Sequence, residues 1–144
     1  MATNRTAEVV WHGDLMKGSG TIGTVTSGAF GPLDVSWASR SEEPNGKTSP
    51  EELIAAAWAA CFAMALSNGL AKAGNPPEKL ETSATVTFQP GEGITRGALT
   101  VRGTVPGLDA DGFRDAAEDA KRNCPVSQAL SGIPDVSLDA ELAG

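Results

Sequence analysis

Three short runs near the N-terminus have the composition of β-strands, at positions 7–11, 21–27 and 33–37. In the third run, apolar Leu33, Val35 and Trp37 alternate with polar residues, which is the period of a sheet with one buried face. Glycine-rich stretches separate the runs and supply turn residues. The pattern predicts an N-terminal antiparallel β-meander, with Arg40 at the end of its third strand.

The next region predicts one long helix. Ser49 can be its N-cap, Pro50 its first residue and Glu52 the second half of a capping box. Gly74, followed by two prolines, ends it. Roughly six turns between these signals are apolar nearly all round, which is typical of a helix that is buried on most sides. We therefore expect a long buried central helix that a chain of 144 residues cannot bury alone.

The C-terminal half predicts a second β-hairpin, further helices and a C-terminal strand. Strand-like alternation recurs at positions 82–88, 94–105 and 135–142. Helical spacing of apolar residues begins at about Asp109, and a short helix begins around Cys124 and Pro125. The fold class is therefore α+β. Because no stretch reads as a linker, we expect residues 1–144 to form a single domain.

Composition and charge narrow the range of functions. The net charge is −7, and the 11 basic residues are scattered, so nucleic acid is not an expected partner. The first twenty residues lack a continuous apolar segment, and no run approaches about 20 uninterrupted apolar residues. We therefore expect no membrane partner and a soluble, cytoplasmic protein. Thiols in that compartment are kept reduced.

The two cysteines, Cys61 and Cys124, are the candidate reactive groups. A thiol reacts as its thiolate, which a cation or a helix N-terminus favours. Cys124 precedes Pro125 and is expected at a helix N-terminus, whereas Cys61 lies inside the apolar helix and needs a cation such as Arg40. The alternative for each cysteine is a buried, inert thiol. Because His12 is the only histidine, four zinc ligands are lacking and no metal site is expected.

Glu51 is the candidate partner of Arg40, since a guanidinium fork can hold a carboxylate and a thiolate together. Ten helical residues, however, separate Glu51 from Cys61 by about 15 Å along the axis. Two copies of the helix packed antiparallel, crossing near Ala56, would place residue 51 of one chain opposite residue 61 of the other. If Glu51 and Cys61 share a site, the sequence predicts a homodimer with composite active sites at the subunit interface.

Several segments together carry a family signature: Ser39-Arg40, TSPEELIAAAWAACFAMALS from Thr48 to Ser67, and CPVSQAL from Cys124 to Leu130. They resemble the OsmC/Ohr family of thiol-dependent peroxidases. WHGDLMKGSGTI and VPGLDADGF resemble its osmotically inducible OsmC branch. The resemblance covers nearly the whole chain. It implies an OsmC-like α+β fold, an intertwined homodimer, and a peroxidase that reduces organic hydroperoxides, and hydrogen peroxide less well.

The resemblance also implies roles for single residues. Cys61 matches the peroxidatic cysteine, Cys124 the resolving cysteine, Arg40 the activating arginine and Glu51 its carboxylate partner. A sulfenic acid at Cys61 would condense with Cys124, and an external dithiol such as a lipoylated protein would reopen the disulfide. No haem, flavin or metal cofactor is implied. The local electrostatics that the sequence indicates favour the thiolate at Cys124 instead, so the two lines of reasoning differ on which thiol attacks.

Trp58 departs from the family pattern, because it lies one turn before Cys61, where close relatives are expected to have histidine. Core packing is the interpretation that we favour for Trp58, and a pocket wall for an apolar peroxide is the other. Phe62 and Met64 allow the same two interpretations. The alternative function is a non-enzymatic redox-sensing or small-ligand-binding dimer of the same fold. A general disulfide oxidoreductase is a further alternative, although the usual CxxC is missing.

Overall fold

The computed structural model describes residues 1–143 and contains two compact units, one formed by residues 1–53 and the other beginning at residue 54. Their elements, in chain order, are β1 (Ala7–His12), β2 (Ser19–Val25), β3 (Leu33–Val35), α1 (Trp37–Ser41), α2 (Pro50–Lys72), β4 (Lys79–Gln89), β5 (Gly93–Thr104), α3 (Ala110–Asn123), α4 (Pro125–Ala129) and β6 (Asp135–Leu142). The expectation of a single domain stays a prediction.

The first unit contains an antiparallel sheet in the order β1-β2-β3, so the predicted meander is confirmed. Its third strand is shorter than predicted, and the placement of Trp37 and Arg40 in or at the end of that strand is wrong. Both residues lie in α1. A capping box starts this helix: Ser36 Oγ accepts the backbone N–H of Ser39, and Ser39 Oγ accepts that of Ser36, each over 3.0 Å.

The central helix α2 begins and ends as predicted. Ser49 Oγ accepts the backbone N–H of Glu52 over 3.2 Å, which is one half of the predicted capping box. The Glu52 carboxylate accepts the Thr48 hydroxyl over 2.8 Å instead of the Ser49 N–H, so Glu52 does not supply the predicted second half. Gly74 follows the helix with φ +90°, the left-handed conformation that commonly ends a helix. By length and apolar composition alone α2 could cross a membrane, but core helices of soluble proteins share these properties.

The second unit buries its core between helices and a three-stranded sheet. β4 and β5 form the predicted antiparallel hairpin, and β6 pairs with β5 in parallel orientation after the crossover through α3 and α4. One face of α2 supplies large buried side chains at four-residue spacing, namely Trp58, Phe62, Leu66 and Leu70. The residues that join them in this core include Leu99, Val101, Phe113, Ala117 and Ala120.

Another face of α2 is apolar but exposed in the single chain. Ala56, Ala57 and Ala60 are exposed, and 73% of the surface of Met64 is accessible. One chain therefore buries only part of its central helix. An exposed apolar patch of this kind often marks an interaction surface.

Gly103 tests the packing of β5 against α3. A Cβ atom at this position would lie 2.5 Å from two ring carbons of Phe113, a side chain that is completely buried. We expect Gly103→Ala to lower the free energy of unfolding by about 1–3 kcal/mol, the usual cost of overpacking a core. Urea unfolding of the purified variant measures the change.

The matched control for this experiment is Gly132→Ala, because a Cβ atom at Gly132 would have no neighbour within 4 Å. Its free energy of unfolding should stay within about 0.5 kcal/mol of the wild type, as is usual for exposed positions. Equal unfolding midpoints for the two variants would contradict the close approach of Phe113 to Gly103.

Candidate active site

The two cysteines meet inside the second unit, although 63 positions separate them in the sequence. Cys61 lies in the middle of α2, and Cys124 lies between α3 and α4. Their sulfur atoms are 2.8 Å apart and both thiols are free, whereas a disulfide bond measures about 2.05 Å. Cys61 is half-buried and Cys124 is completely buried. A single chain therefore brings both predicted thiols into contact.

The surroundings of the two thiols shift their pKa values in opposite directions. Burial raises the pKa of Cys61, and the contact with Cys124 raises it further, while the backbone N–H of Val126 lowers it. Burial also acts to raise the pKa of Cys124. Hydrogen bonds from Cys61, from the backbone and hydroxyl of Ser127 and from the Val126 backbone outweigh burial and lower the pKa of Cys124. In the reduced chain, negative charge is therefore more stable on Cys124.

Arg40 and Glu51 form a two-pronged ion pair within the first unit. Arg40 Nε donates to Glu51 Oε1 over 3.0 Å, and Nη2 donates to Oε2 over 2.9 Å. The Glu51 side chain is 7% exposed and the Arg40 side chain 33%. Glu51 lies in the first turn of α2, where a negative charge is favourable. The structure therefore joins these two predicted site residues in one chain and fixes the plane of the guanidinium group.

A groove of about 690 Å³ opens beside Cys61. Its lining is mostly small and apolar and includes Ala57, Ala60, Met64, Ala65, Ala120 and Pro125. Met64 is among the residues that line the groove, and its role in the substrate pocket stays a prediction. Trp58 and Phe62 are in the core instead, 1% and 0% exposed, and Trp58 borders a separate cavity of about 260 Å³. A role for these two side chains in holding substrate stays a prediction.

Ser127 is a site residue that the sequence analysis did not identify. Its hydroxyl accepts the indole N–H of Trp58 over 2.7 Å, and Ser127 is among the groups that lower the pKa of Cys124. The available signal was its position in CPVSQ, one helical turn after Cys124. Within residues 1–143, no cluster of three or more histidine, cysteine, aspartate or glutamate side chains could hold a metal ion.

The sequence and the structure both match known proteins. The family profile of OsmC-like proteins matches residues 43–139. Peroxiredoxin OsmC of Escherichia coli (strain K12) is 40% identical over 145 residues, which covers 99% of each protein. The organic hydroperoxide resistance protein of Xanthomonas axonopodis pv. citri (strain 306) is 34% identical over 97 residues, 63% of this chain and 65% of that protein.

A solved structure has the same architecture. An organic hydroperoxide resistance protein OsmC from Legionella pneumophila superimposes with a TM-score of 0.69 and 27% identity, covering 94% of this chain and 96% of that one. The predicted α+β, OsmC-like fold is thereby confirmed, as is the resemblance that the motifs indicated. The chain belongs to the OsmC family.

Proposed function

We propose that the protein is a thiol peroxidase that reduces organic hydroperoxides, and hydrogen peroxide less well, with Cys61 and Cys124. The names of its relatives, peroxiredoxin and organic hydroperoxide resistance protein, support this activity. The observation that carries the proposal is the 2.8 Å separation of two free sulfur atoms in one chain. The groove beside Cys61, with its apolar lining, suits the organic part of a hydroperoxide.

The proposed cycle needs only the two thiols and an external reductant. The Cys61 thiolate attacks the distal peroxide oxygen, the O–O bond breaks, and the alkoxide takes a proton and leaves as an alcohol. The Cys124 thiolate then attacks the sulfur of the Cys61 sulfenic acid. Hydroxide leaves, is protonated to water, and a disulfide forms. An external dithiol, for which family resemblance suggests a lipoylated protein, restores both thiols and becomes a disulfide itself.

The exposure of the two thiols determines which of them the peroxide can reach. Cys124 has the lower pKa of the two, but it is completely buried. Cys61 is partly exposed and lines the groove, so the substrate can reach only its sulfur without a rearrangement. A cation is still needed to stabilise the Cys61 thiolate, and we assign that role to Arg40, held by Glu51. A charge contact of this kind strengthens in a site from which water is excluded.

A homodimer with its active sites at the subunit interface is part of the proposal. The apolar face of α2 around Ala56, Ala57 and Met64 is exposed in the single chain, and a patch of this kind is typical of a surface that a protein partner buries. A second copy of α2, packed antiparallel and crossing near Ala56, would cover the face there and form one wall of the groove beside Cys61. The rise of a helix separates Glu51 from Cys61 by about 15 Å along the axis, so we assign the Arg40–Glu51 pair that serves each Cys61 to the partner chain. A cytoplasmic location also belongs to the proposal.

Thiol counting with cumene hydroperoxide tests the proposed activity. We expect one equivalent of the peroxide to remove both free thiols of the chain rapidly, and a dithiol to restore them. Hydrogen peroxide, used as the comparison oxidant, should react more slowly. A redox-inactive binding dimer would instead lose its thiols slowly and without saturation at one equivalent, and that result would refute the proposal.

A further inference from the structure

Two polar side chains are buried within residues 1–143, those of Ser39 and Glu51, and their residues are 7% and 5% exposed. Both adjoin Arg40, because Ser39 precedes it in α1 and Glu51 binds its guanidinium group. Burial of a polar group is unfavourable unless its hydrogen bonds are satisfied. Arg40 satisfies Glu51, whereas the hydroxyl of Ser39 binds the backbone at Ser36 and at Thr48.

The hydroxyl of Ser39 links α1 to the residues that lead into α2. Its Oγ accepts the backbone N–H of Ser36 over 3.0 Å and lies 3.0 Å from the Ser36 carbonyl oxygen and 2.9 Å from that of Thr48. A hydroxyl has only one proton to donate. The Ser36 carbonyl already accepts the backbone N–H of Arg40 over 3.2 Å, and the Thr48 carbonyl is the nearer of the two. The Ser39 proton is therefore best placed on Thr48.

Thr48 is itself fixed to two other elements. Its backbone N–H donates to the carbonyl of Asp34 in β3 over 2.9 Å, and its hydroxyl donates to the carboxylate of Glu52 in α2 over 2.8 Å. Thr48 also forms a parallel β-bridge with Val35 of β3. The hydrogen bond from Ser39 to Thr48 therefore holds α1 against both β3 and the start of α2.

The helix α1 depends on such a link for its position. It has five residues, and an isolated helix of this length is not stable. The segment that joins it to Thr48, residues 42–47, is exposed throughout. The side chain of Arg40 has several rotatable bonds, so its ion pair with Glu51 alone would let the backbone of α1 shift. The Ser39 hydroxyl adds a constraint on the backbone next to Arg40.

We propose that Ser39 is a positioning residue: by binding Thr48, it holds α1 where Arg40 keeps both hydrogen bonds to Glu51. The inference rests on the proposed function, in which this guanidinium group stabilises the thiolate of Cys61. Ser39 takes no part in electron or proton transfer and acts through Arg40. A displacement of about 1 Å at a group that orients a reaction can lower the rate by up to about 10²-fold.

Hydrogen exchange at Nε of Arg40 measures this positioning directly. The Nε–H donates to Glu51 over 3.0 Å, and hydrogen bonding slows exchange with water. Nitrogen-15 NMR of the purified chain detects the signal, which Arg40→Gln identifies by removing it. We expect Ser39→Ala to speed the exchange about fivefold, the effect of losing one hydrogen bond.

Ser41→Ala is the matched control, because Ser41 flanks Arg40 on the other side in the same helix. The Ser41 hydroxyl donates to the carbonyl of Trp37 over 2.8 Å, a bond within α1. The substitution removes a hydroxyl of the same helix but leaves the link to Thr48 intact. Exchange at Arg40 should stay within about twofold of the wild type. If Ser41→Ala speeds exchange as much as Ser39→Ala does, the link to Thr48 has no special role and the inference is wrong.

Peroxide turnover shows whether Ser39 acts through Arg40. Ser39→Ala should consume cumene hydroperoxide about tenfold more slowly than the wild type, and Ser41→Ala should remain close to it. In an Arg40→Gln background, adding Ser39→Ala should change the residual rate less than about twofold, because the two residues act as one unit. A merely structural role would lower the rate by the same factor in both backgrounds and would overturn the inference.

The exchange measurement needs no peroxide, so it separates this inference from the proposed function. If the wild type does not consume peroxide, the proposed function fails, but exchange at Arg40 still shows whether Ser39 positions it. Unchanged exchange in Ser39→Ala would refute the positioning role even in an active peroxidase. Ser39→Gly, which also lacks the hydroxyl, replaces Ser39→Ala if circular dichroism shows that the alanine variant does not fold.

Discussion

Cys61→Ser should lose turnover of cumene hydroperoxide by about 10⁴-fold or more, the scale on which removal of a nucleophile acts. A serine hydroxyl at this position keeps the volume of the side chain but is not ionised near neutral pH, so it cannot attack the peroxide oxygen. The measurement is peroxide consumption in the presence of excess dithiothreitol. Circular dichroism of the variant shows that the loss is chemical and not a failure to fold.

Cys124→Ser is the matched control, and it should behave differently. It keeps the attacking thiol, so one equivalent of peroxide should be consumed rapidly and leave a sulfenic acid at Cys61 that dimedone traps. The comparison is needed because the pKa of Cys124 is lowered and that of Cys61 is raised within one chain. Peroxide consumption by Cys61→Ser, with no trapped sulfenic acid in Cys124→Ser, would show that the roles are reversed.

Local sequence signals were enough to place α2 and α3. Ser49 caps the start of α2 with a hydrogen bond to Glu52, and Gly74 ends the helix with a positive φ. Asp109 caps the start of α3 by a hydrogen bond to Gly112. All three signals involve only near neighbours in the sequence. The signal failed at Trp37. There, strand-like alternation continued in the sequence, but the capping box of Ser36 and Ser39 started a helix. At this position the reciprocal hydrogen bonds of the capping box, and not the alternation of apolar residues, determine the local structure.

Contacts between residues that are far apart in the sequence could not be predicted from it. Nothing in the alternation of β6 indicates that it pairs in parallel with β5, because the period of two is the same in either orientation. The proximity of Cys61 to Cys124 was inferred only from family resemblance. The hydrogen bond from Trp58 to Ser127 joins positions 69 residues apart, and a lone tryptophan in an apolar helix gives no sign of its partner.

Arg40 is held by Glu51 of the same chain, and this makes it possible to test which chain's Cys61 the ion pair serves. If that pair serves the Cys61 of the partner chain, two inactive variants should complement each other. Arg40→Gln, which keeps an amide donor for Glu51, should lower the peroxide rate about 10²-fold, as removal of an electrostatic stabiliser does. Cys61→Ser supplies an intact Arg40 but no nucleophile. Each variant alone should be nearly inactive.

Co-folding the two variants in equal amounts should restore about a quarter of the wild-type rate, because about half of the dimers are mixed and each mixed dimer has one complete site of two.

The control pair is Cys61→Ser with Cys124→Ser. Those two thiols meet within one chain, 2.8 Å apart, so no mixed dimer contains a complete thiol pair, and one equivalent of peroxide should form no disulfide between Cys61 and Cys124. If Arg40→Gln with Cys61→Ser stays inactive, Arg40 acts on the cysteine of its own chain and the composite site is wrong. Turnover returns only if the protein is a dimer and if Arg40 of one subunit acts on Cys61 of the other. The experiment therefore tests the dimer and the role of Arg40 together.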